Sequence, residues 1–423
     1  MNAKDSIAYN TQIIVPVYDV ANQRAEFRFL PDTCYFADAR LLDMGAWSAS
    51  GATAANGILG SECPIRAIHL MDGGVTLDSL NDYPQWRAVQ KLQVQNDGAI
   101  SVGRWLSKNK IGYIVSREMD ATEASFGQDQ DIVVAQDQGN GVATTADAAQ
   151  KAWISLKSVF PFLANSTVLP TNVFRQLKLV IEFNSTTQMA DLVSTAGKTD
   201  VTSTRGLVVI DELEDSDTKV AAMSKYQGVR WSGVVQDRWQ LDAVTAATSP
   251  QSITQKLHGF DGAWVEDLVV KLTPQTVPQT GGGANKPFGS LGSLSVPAAS
   301  FQVRVNGQNK LPRGGVDKKM AALALLTDSI GSICTMPFQV MMSDVFNGNG
   351  HGAVVEDTQG QVAPFAVEIK DYVEDLQVTL GREFKLNNPI QAAALNINVF
   401  GRVARALVLD GQGGYLVVNA DTA

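Results

Sequence analysis

Two stretches of this sequence, one in each half, decide the expected fold: residues 64–74 read PIRAIHLMDGG, and residues 301–307 read FQVRVNG. Each alternates apolar and polar residues and then reaches an Asp-Gly or Asn-Gly pair, the pattern of a β-strand that ends at a tight turn. A helical pattern follows in both halves, over residues 82–92 and 317–326. The repeated strand–turn–helix unit predicts two similar domains in tandem within the 423 residues.

The composition is that of a folded protein with no bias towards nucleic acid. Apolar residues make up 45% of the chain and charged residues 18%, so each half can bury a core. The net charge of −9 leaves no surplus of Lys and Arg to neutralise phosphates, which argues against direct, sequence-specific nucleic-acid binding. Residues 1–6 show no signal-peptide pattern, and no apolar run is long enough for a membrane span. We therefore expect a soluble protein made in the cytoplasm.

Strand-like segments dominate the chain. They are short, rich in Val, Ile, Leu and Phe, and bounded by Gly, Pro, Asn or Asp, as strands of antiparallel sheets are. With only a few short helical patterns, the expected fold class is all-β with short helices. Besides the strand within residues 64–74, the predicted strands cover residues 12–17, 25–30, 111–115, 178–183, 207–210, 265–272, 301–305, 375–380, 395–400 and 406–409.

Three segments have helical periodicity. In residues 82–92, Asp82 is a candidate cap and Trp86 lies on the apolar stripe. Residues 151–163 carry Trp153 on a second stripe, although Pro161 must end or kink that helix. The third segment, residues 317–326, is Ala-rich and places Leu323 on its apolar face. We expect Trp86, Trp153 and Leu323 to anchor these faces in the core.

The chain divides into four predicted parts, which are an N-terminal arm (1–10), a first domain (11–213), a linker (214–226) and a second domain (227–423). The acidic run DELEDSD at residues 211–217 marks the linker, because a solvated connector is the usual role of such a run. Long polar loops are predicted at residues 119–150, 273–297 and 343–364.

The search for chemistry finds no constellation, so no catalytic, cofactor-binding or metal-binding residues are predicted. Residues 197–199 (GKT) resemble the end of a phosphate-binding loop, but Leu192 stands where its first glycine is needed. The adjacent acids Glu266 and Asp267 are expected to be surface residues. The histidines lack ligand spacing and are expected to be core or surface residues. The cysteines lack redox or ligand spacing and are expected to be small buried residues in a reducing compartment. These histidines and cysteines are His69, His258, His351, Cys34, Cys63 and Cys334.

The tryptophans leave one alternative function open. Core anchoring is the expected role of most of the seven, but a partly exposed Trp could contact another subunit or stack on a sugar. A two-domain β-sandwich that binds or hydrolyses glycans is therefore the main rival to a structural role. The absence of a signal peptide argues against it.

Several short segments resemble double jelly-roll major capsid proteins, the lineage of adenoviruses, virophages, Polinton-like viruses and tailless membrane-containing phages. The Polinton- and virophage-like members are the most similar. The resemblance is a pattern of segments spread over most of the chain and not an invariant motif. The segments are residues 28–32 (RFLPD), 65–80, 154–170, 177–182, 303–307 with 311–312, 366–382, 395–409 and 411–418.

The resemblance implies two tandem antiparallel β-sandwich jelly rolls in one subunit. Three such subunits would form a pseudo-hexagonal homotrimer with obligate contacts of about 2,000 Å² or more, and the trimers would build an icosahedral virion capsid. It also implies minor capsid or penton proteins as partners and is compatible with an inner membrane. A capsid or tail protein of another fold is the second rival.

The predicted capsid protein has no reaction, so the residues expected to matter are structural. Gly73 and Gly307 are expected to occupy turn positions that require a positive φ, so a β-branched residue there should disturb folding. Truncation of Trp86, Trp153 or Leu323 to Ala should each lower the free energy of unfolding by about 2–5 kcal/mol.

Overall fold

A computed structural model describes most of the strands of the chain. The described residues are 8–20, 23–42, 47–49, 65–92, 154–185, 199–201, 206–275, 300–312, 315–316, 324–325, 328–329, 365–384, 394–410 and 414–420. The predicted loops 119–150 and 343–364, the predicted strand 111–115, and the residues Trp153 and Leu323 lie outside them.

Two main antiparallel sheets form from the strands before residue 214. One sheet has the order β10-β4-β13-β5-β9, and β1 pairs with the other edge of β13. The second sheet has the order β2-β3-β11-β7-β8. Strands β6 and β12 form a separate pair. The strands are Tyr9–Ile14 (β1), Tyr18–Val20 (β2), Arg24–Arg28 (β3), Cys34–Phe36 (β4), Arg40–Leu42 (β5), Trp47–Ala49 (β6), Ile65–Asp72 (β7), Val75–Leu80 (β8), Ile154–Ser155 (β9), Val168–Pro170 (β10), Leu177–Phe183 (β11), Thr199–Val201 (β12) and Leu207–Leu213 (β13).

The strands after residue 228 form two further antiparallel sheets. One has the order β14-β21-β16-β19, with β22 also paired to β21, and the other has the order β15-β20-β17-β18. The strands are Val229–Leu241 (β14), Gln251–Lys256 (β15), Ala263–Pro274 (β16), Ser300–Val305 (β17), Gln308–Asn309 (β18), Phe365–Val373 (β19), Leu376–Arg382 (β20), Leu395–Leu409 (β21) and Tyr415–Asn419 (β22).

The two halves repeat one strand order. The eight strands β14 to β21 of the second half can be numbered first to eighth in chain order. Their order is then 1-8-3-6 in one sheet and 2-7-4-5 in the other. In the first half, β1, β3, β5, β7, β8, β9, β11 and β13 pair in the same two orders. Two sheets of four strands connected in this way are a jelly roll, so the chain is a double jelly roll, as predicted.

The two decisive stretches form equivalent hairpins, between the fourth and fifth strands of each jelly roll. In the second half Val305 pairs with Gln308, and the intervening Asn306 and Gly307 have φ of +48° and +82°. In the first half the turn is Gly73-Gly74, with φ of +57° at Gly73, and not the predicted Asp72-Gly73. The positive φ predicted for both glycines is confirmed, but each turn leads into a strand and not directly into a helix.

Helix α1 (Tyr83–Leu92) confirms the first helical prediction, and the Asp82 carboxylate caps it by accepting from the backbone N–H of Gln85. The predicted helix 151–163 is wrong. Its first part is β9 and a 3₁₀ turn (Leu156–Ser158), and the helix α2 (Pro161–Asn165) only begins at the proline. Proline suits this first helical position because the N–H that it lacks would have no helical partner there.

The segment between the jelly rolls contains helix α3 (Ser216–Lys225), capped by Asp215. The acidic run predicted as a solvated connector is therefore divided, because residues 211–213 belong to β13 and Asp211 is buried. At the other end, β1 begins at Tyr9, inside the predicted arm. Strand β21 joins two predicted strands into one of 15 residues. Only residues 324–325 of the predicted helix 317–326 are described, and they are helical.

The two jelly rolls are not separate in their cores. One apolar cluster lies between the sheets of the second jelly roll. A larger cluster fills the first jelly roll and continues into one face of the second. The second jelly roll contributes to it Trp231, Val234, Val269, Ala366, Phe400 and Leu407. The face of the β14-β21-β16-β19 sheet that points away from its own core is therefore buried against the first half.

Candidate functional site

The junction between the jelly rolls is built around aromatic pairs. Trp86 of α1 packs on Phe400 of β21, with ring centroids 5.4 Å apart. Phe162 of α2 meets Trp231 of β14 edge to face at 5.0 Å. Trp86 and Trp231 are only 3% and 0% exposed. The prediction that tryptophans anchor the core is confirmed for these two, and neither offers an exposed face for stacking on a sugar.

The carboxylate of Asp72 accepts several hydrogen bonds at the edge of the junction. Its carboxylate accepts from the backbone N–H groups of Arg175 and Gln176, in the turn before β11. It also accepts from the hydroxyl of Tyr415, on β22 of the second jelly roll, at 2.7 Å. The Tyr415 ring packs against Phe174 at 5.5 Å. A residue that the sequence assigns to a turn thus connects the two jelly rolls.

Asn306 makes the equivalent connection within the second jelly roll. Its Oδ1 accepts from the backbone N–H groups of Glu374 and Asp375, at 2.8 and 3.1 Å, in the turn before β20. Its Nδ2 donates to the carbonyl of Tyr372 at 2.7 Å. In both jelly rolls the hairpin after the fourth strand is therefore fastened to the turn before the seventh strand.

Asp78 of β8 is a buried acid at the junction, with 1% of its surface exposed. It accepts from the backbone N–H of Phe162 at 3.1 Å and from that of Ser79 at 3.0 Å. Burial raises its pKa to about 7, against smaller opposing effects of these N–H groups and of Arg405 on β21. Burial therefore favours the protonated, neutral form of Asp78.

A second group of charges lies where α1 begins. Lys271 of β16 is fully buried, and this burial lowers its pKa to about 7, while the nearby Asp82 has the opposite effect. Burial also raises the pKa of Asp82. Asp82 Oδ2 lies 4.0 Å from Nη1 of Arg238 on β14. The junction thus contains an amine and a carboxyl group that burial drives towards their neutral forms.

The acid pair Glu266 and Asp267 shares one cation, Arg402, whose Nε also lies 3.8 Å from Glu266 Oε2. Asp267 is 1% exposed and forms a bidentate ion pair with Arg402, whose Nε lies 2.8 and 3.0 Å from its two oxygens. Glu266 accepts from Ser232 Oγ at 2.6 Å. The surface position predicted for these acids is wrong for Asp267, because its guanidinium partner is distant in sequence and invisible to local pattern.

The histidines and Cys34 are also of residue types that can form functional sites. His69 is half-buried, and burial lowers its pKa. His258 is exposed beside Asp261, while His351 lies outside the described residues. Cys34 is buried, as expected, and burial raises the pKa of its thiol to about 11. Within the described ranges, no group of three or more His, Cys, Asp or Glu could hold a metal ion, and no helix there is long and apolar enough to cross a membrane.

Two rows of apolar side chains are exposed at sheet edges. The N-terminal row, on β1 and the residues after it, contains Tyr9, Ile13, Val15 and Val17, and the C-terminal row, on β21 and β22, contains Val408, Leu416 and Val418. Ile13 and Leu416 are each 63% exposed. Among the described strands, β1 pairs only with β13 and β22 only with β21, so both leave a backbone edge unpaired. Exposed apolar edges of this kind are typical of interaction sites.

The fold defined by these elements is that of solved viral capsid proteins. The PBCV-1 protein VP54, as fitted into a cryo-EM reconstruction of the virophage Sputnik, superposes with a TM-score of 0.58 at 11% identity, over 98% of this chain and 97% of that one. The mavirus major capsid protein gives 0.54 at 10% identity, over 99% and 92% of the two chains. The Faustovirus major capsid protein gives 0.54 at 8% identity, over 96% and 91%.

The likeness lies in structure alone. The sequence matches no protein-family model and no curated protein. The shared property is therefore the double jelly roll itself, which extends over nearly the full length of this chain and of these capsid proteins.

Proposed function

We propose that this protein is a viral major capsid protein, which forms homotrimers that assemble into an icosahedral shell. The observation that carries the proposal is the repeated jelly-roll order in both halves, together with structural likeness to major capsid proteins over almost the whole chain. The buried junction supports it further, because it fixes the two jelly rolls as one rigid building block. No catalytic step is part of the proposal.

The proposed capsid fold divides the chain into an arm, two jelly rolls and a connection. We place the first jelly roll at residues 11–213 and the second at 227–423, with residues 1–10 as an arm and 214–226 as the connection. Helix α3 occupies most of that connection. Because the core of the first jelly roll includes Trp231 and Phe400, the two parts are expected to fold together and not as independent domains.

The exposed rows supply candidate surfaces for the trimer. A closed ring of three copies needs a heterologous contact, in which one surface of a subunit meets a different surface of the next. The N-terminal row lies on the first jelly roll and the C-terminal row on the second, and both carry apolar side chains. We assign the contact to these rows, with a second copy of this chain as the partner.

The native mass tests the trimer. Sedimentation should give about 136 kDa, three times the 45.3 kDa chain, and the charged substitution Leu416→Asp or Ile13→Asp should shift the protein towards the monomer. Val220→Asp is the matched control, since Val220 is 66% exposed on α3, outside both rows. A wild-type monomer would contradict the trimer, whereas trimeric Leu416→Asp and Ile13→Asp variants would contradict only the assigned surfaces.

Further partners belong to the same proposal. Minor capsid or penton proteins would occupy the remaining positions of the shell, and an inner membrane could lie beneath it. The protein would be made in the host cytoplasm and reside in the virion. The net charge of −9 supports a shell without direct, sequence-specific DNA contacts.

A further inference from the structure

Strand pairing sets three polar residues side by side across the second jelly roll. Asn398 of β21 lies opposite Arg238 of β14 on one side and opposite Lys271 of β16 on the other. Phe400, two residues further along β21, points into the junction and packs on Trp86. Because alternate residues of a strand share a face, Asn398 and its two neighbours also point towards the first jelly roll.

Lys271 and Asn398 are both buried, with 0% and 1% of their surfaces exposed. Within the described part of the chain, neither Lys271 Nζ nor Asn398 Oδ1 has a hydrogen-bond partner. A lysine buried without a partner is costly to a fold. Opposite residues on antiparallel strands have Cβ atoms about 5 Å apart, so the flexible lysine stem can bring Nζ to the asparagine carboxamide.

The carboxyl group of Asp82 completes the arrangement. Asp82 lies just before α1, with its Oδ2 at 4.0 Å from Arg238 Nη1, and it also interacts electrostatically with Lys271. Arg238 and Lys271 are the two neighbours of Asn398 on the adjacent strands. The Asp82 carboxyl group is therefore close to both cations that flank Asn398 in the sheet.

We propose that Lys271 and Asn398 join in an intramolecular isopeptide bond, formed without another enzyme and with Asp82 as the group that transfers the proton. The bond would tie β16 covalently to β21 beside the junction. This proposal goes beyond the capsid function and does not depend on it.

The step is balanced with the groups present. The neutral amine of Lys271 attacks Cγ of Asn398, so that a C–N bond forms. Asp82, in its protonated form, donates a proton to the departing amide nitrogen and receives one from the attacking amine. The original C–N bond breaks and one molecule of ammonia leaves, with no oxidant or reductant required.

The environment favours the two required protonation states. Burial lowers the pKa of Lys271 to about 7, which leaves much of the amine neutral and nucleophilic at neutral pH. Burial also raises the pKa of Asp82, which favours the protonated acid. The neighbouring strands hold both reacting groups in one place, which replaces a bimolecular encounter by an intramolecular step.

The test is the mass of the purified, denatured full-length protein. The bond predicts a deficit of one ammonia, about 17 Da, against the mass of the sequence. A proteolytic digest should contain a branched peptide that joins the β16 segment to the β21 segment through Lys271 and Asn398. An intact mass equal to that of the sequence would overturn the proposal.

Variants separate this bond from other ammonia losses. Lys271→Met and Asn398→Ala should each restore the full mass, whereas the control Lys256→Met, at a partly exposed lysine, should keep the deficit. Cyclisation at Asn306-Gly307 would release the same mass but would persist in Lys271→Met, and that result would overturn the bond. Asp82→Asn should abolish or slow the loss, and an unchanged deficit there would overturn the role of Asp82. If a variant does not fold, the wild-type digest still decides.

Discussion

The hydroxyl of Tyr415 in the second jelly roll donates a 2.7 Å hydrogen bond to the carboxylate of Asp72 in the first. The same carboxylate fastens the turn before β11 through two backbone N–H groups. One side chain thus joins the last strand of the second jelly roll to the fourth and seventh strands of the first. This relationship makes the two jelly rolls one unit in the proposed capsomer.

The first prediction concerns this hydrogen bond. Tyr415→Phe keeps the ring on Phe174 but removes the donor to a charged acceptor, so the free energy of unfolding should fall by about 1–3 kcal/mol. Urea denaturation of the purified protein measures the change. Tyr372→Phe is the control, since Tyr372 is 45% exposed and should tolerate the change. Equal stability of Tyr415→Phe and wild type would show that the bond contributes nothing.

The second prediction concerns the Asn306-Gly307 turn. Gly307 has φ of +82°, and an added Cβ would meet only the end of the Arg304 side chain at 3.7 Å, so backbone strain decides the cost. Gly307→Val should therefore destabilise the protein by about 1–3 kcal/mol, and Gly307→Asn by less, because Asn tolerates this conformation. Thermal unfolding measures both. Gly74→Ala is the control, because Gly74 has no positive φ and open space around it. Stable, wild-type-like Gly307→Val would refute the required turn geometry.

The third prediction concerns the aromatic pair at the junction. Trp86→Ala removes a large buried side chain from between the jelly rolls and should lower the free energy of unfolding by about 3–5 kcal/mol. A double-mutant cycle with Phe400→Leu should show coupling of about 0.5–1.5 kcal/mol, as expected for rings 5.4 Å apart. Additive effects of the two substitutions would mean that the rings do not interact energetically.

The fourth prediction concerns pH. Burial raises the pKa of Asp78 from 3.8 to about 7, so between these values the folded state binds a proton that the unfolded state does not. The contribution of Asp78 to stability is therefore greatest below about pH 4 and falls as the pH rises through 7. Asp78→Asn does not titrate. Its stability relative to wild type should increase from pH 5 to pH 8 in urea denaturation, and a difference independent of pH would contradict the burial of a titrating acid.

The sequence predicts those strands whose burial alternates along the chain. Strand β11 is predicted to within one residue, because Leu177, Leu179, Ile181 and Phe183 point inward. Strand β21 is predicted as two pieces, residues 395–400 and 406–409, with Gly401 and Arg402 in the gap between them. In the fold that glycine is required, since a Cβ there would lie 2.3 Å from the ring of Phe260, and Arg402 has a buried acid as its partner.

The junction could not be predicted from local pattern. Asp72 and Tyr415 are 343 residues apart, and Arg402 and Asp267 are 135 apart, so only the folded chain brings them together. In the sequence, Lys271 resembles a solvent-facing polar residue of an ordinary strand, although it is fully buried in the fold. Proline misled the interpretation of residues 151–163, because Pro161 begins the short helix α2 and does not interrupt a longer one.

The central claim is that two jelly rolls in one chain build a trimeric, pseudo-hexagonal capsomer. Negative-stain electron microscopy of the purified protein at its native mass tests it most directly. We expect particles with three-fold symmetry and a six-lobed outline, one lobe for each jelly roll of three subunits. Uniform monomeric particles, or closed rings with another symmetry, would contradict the account.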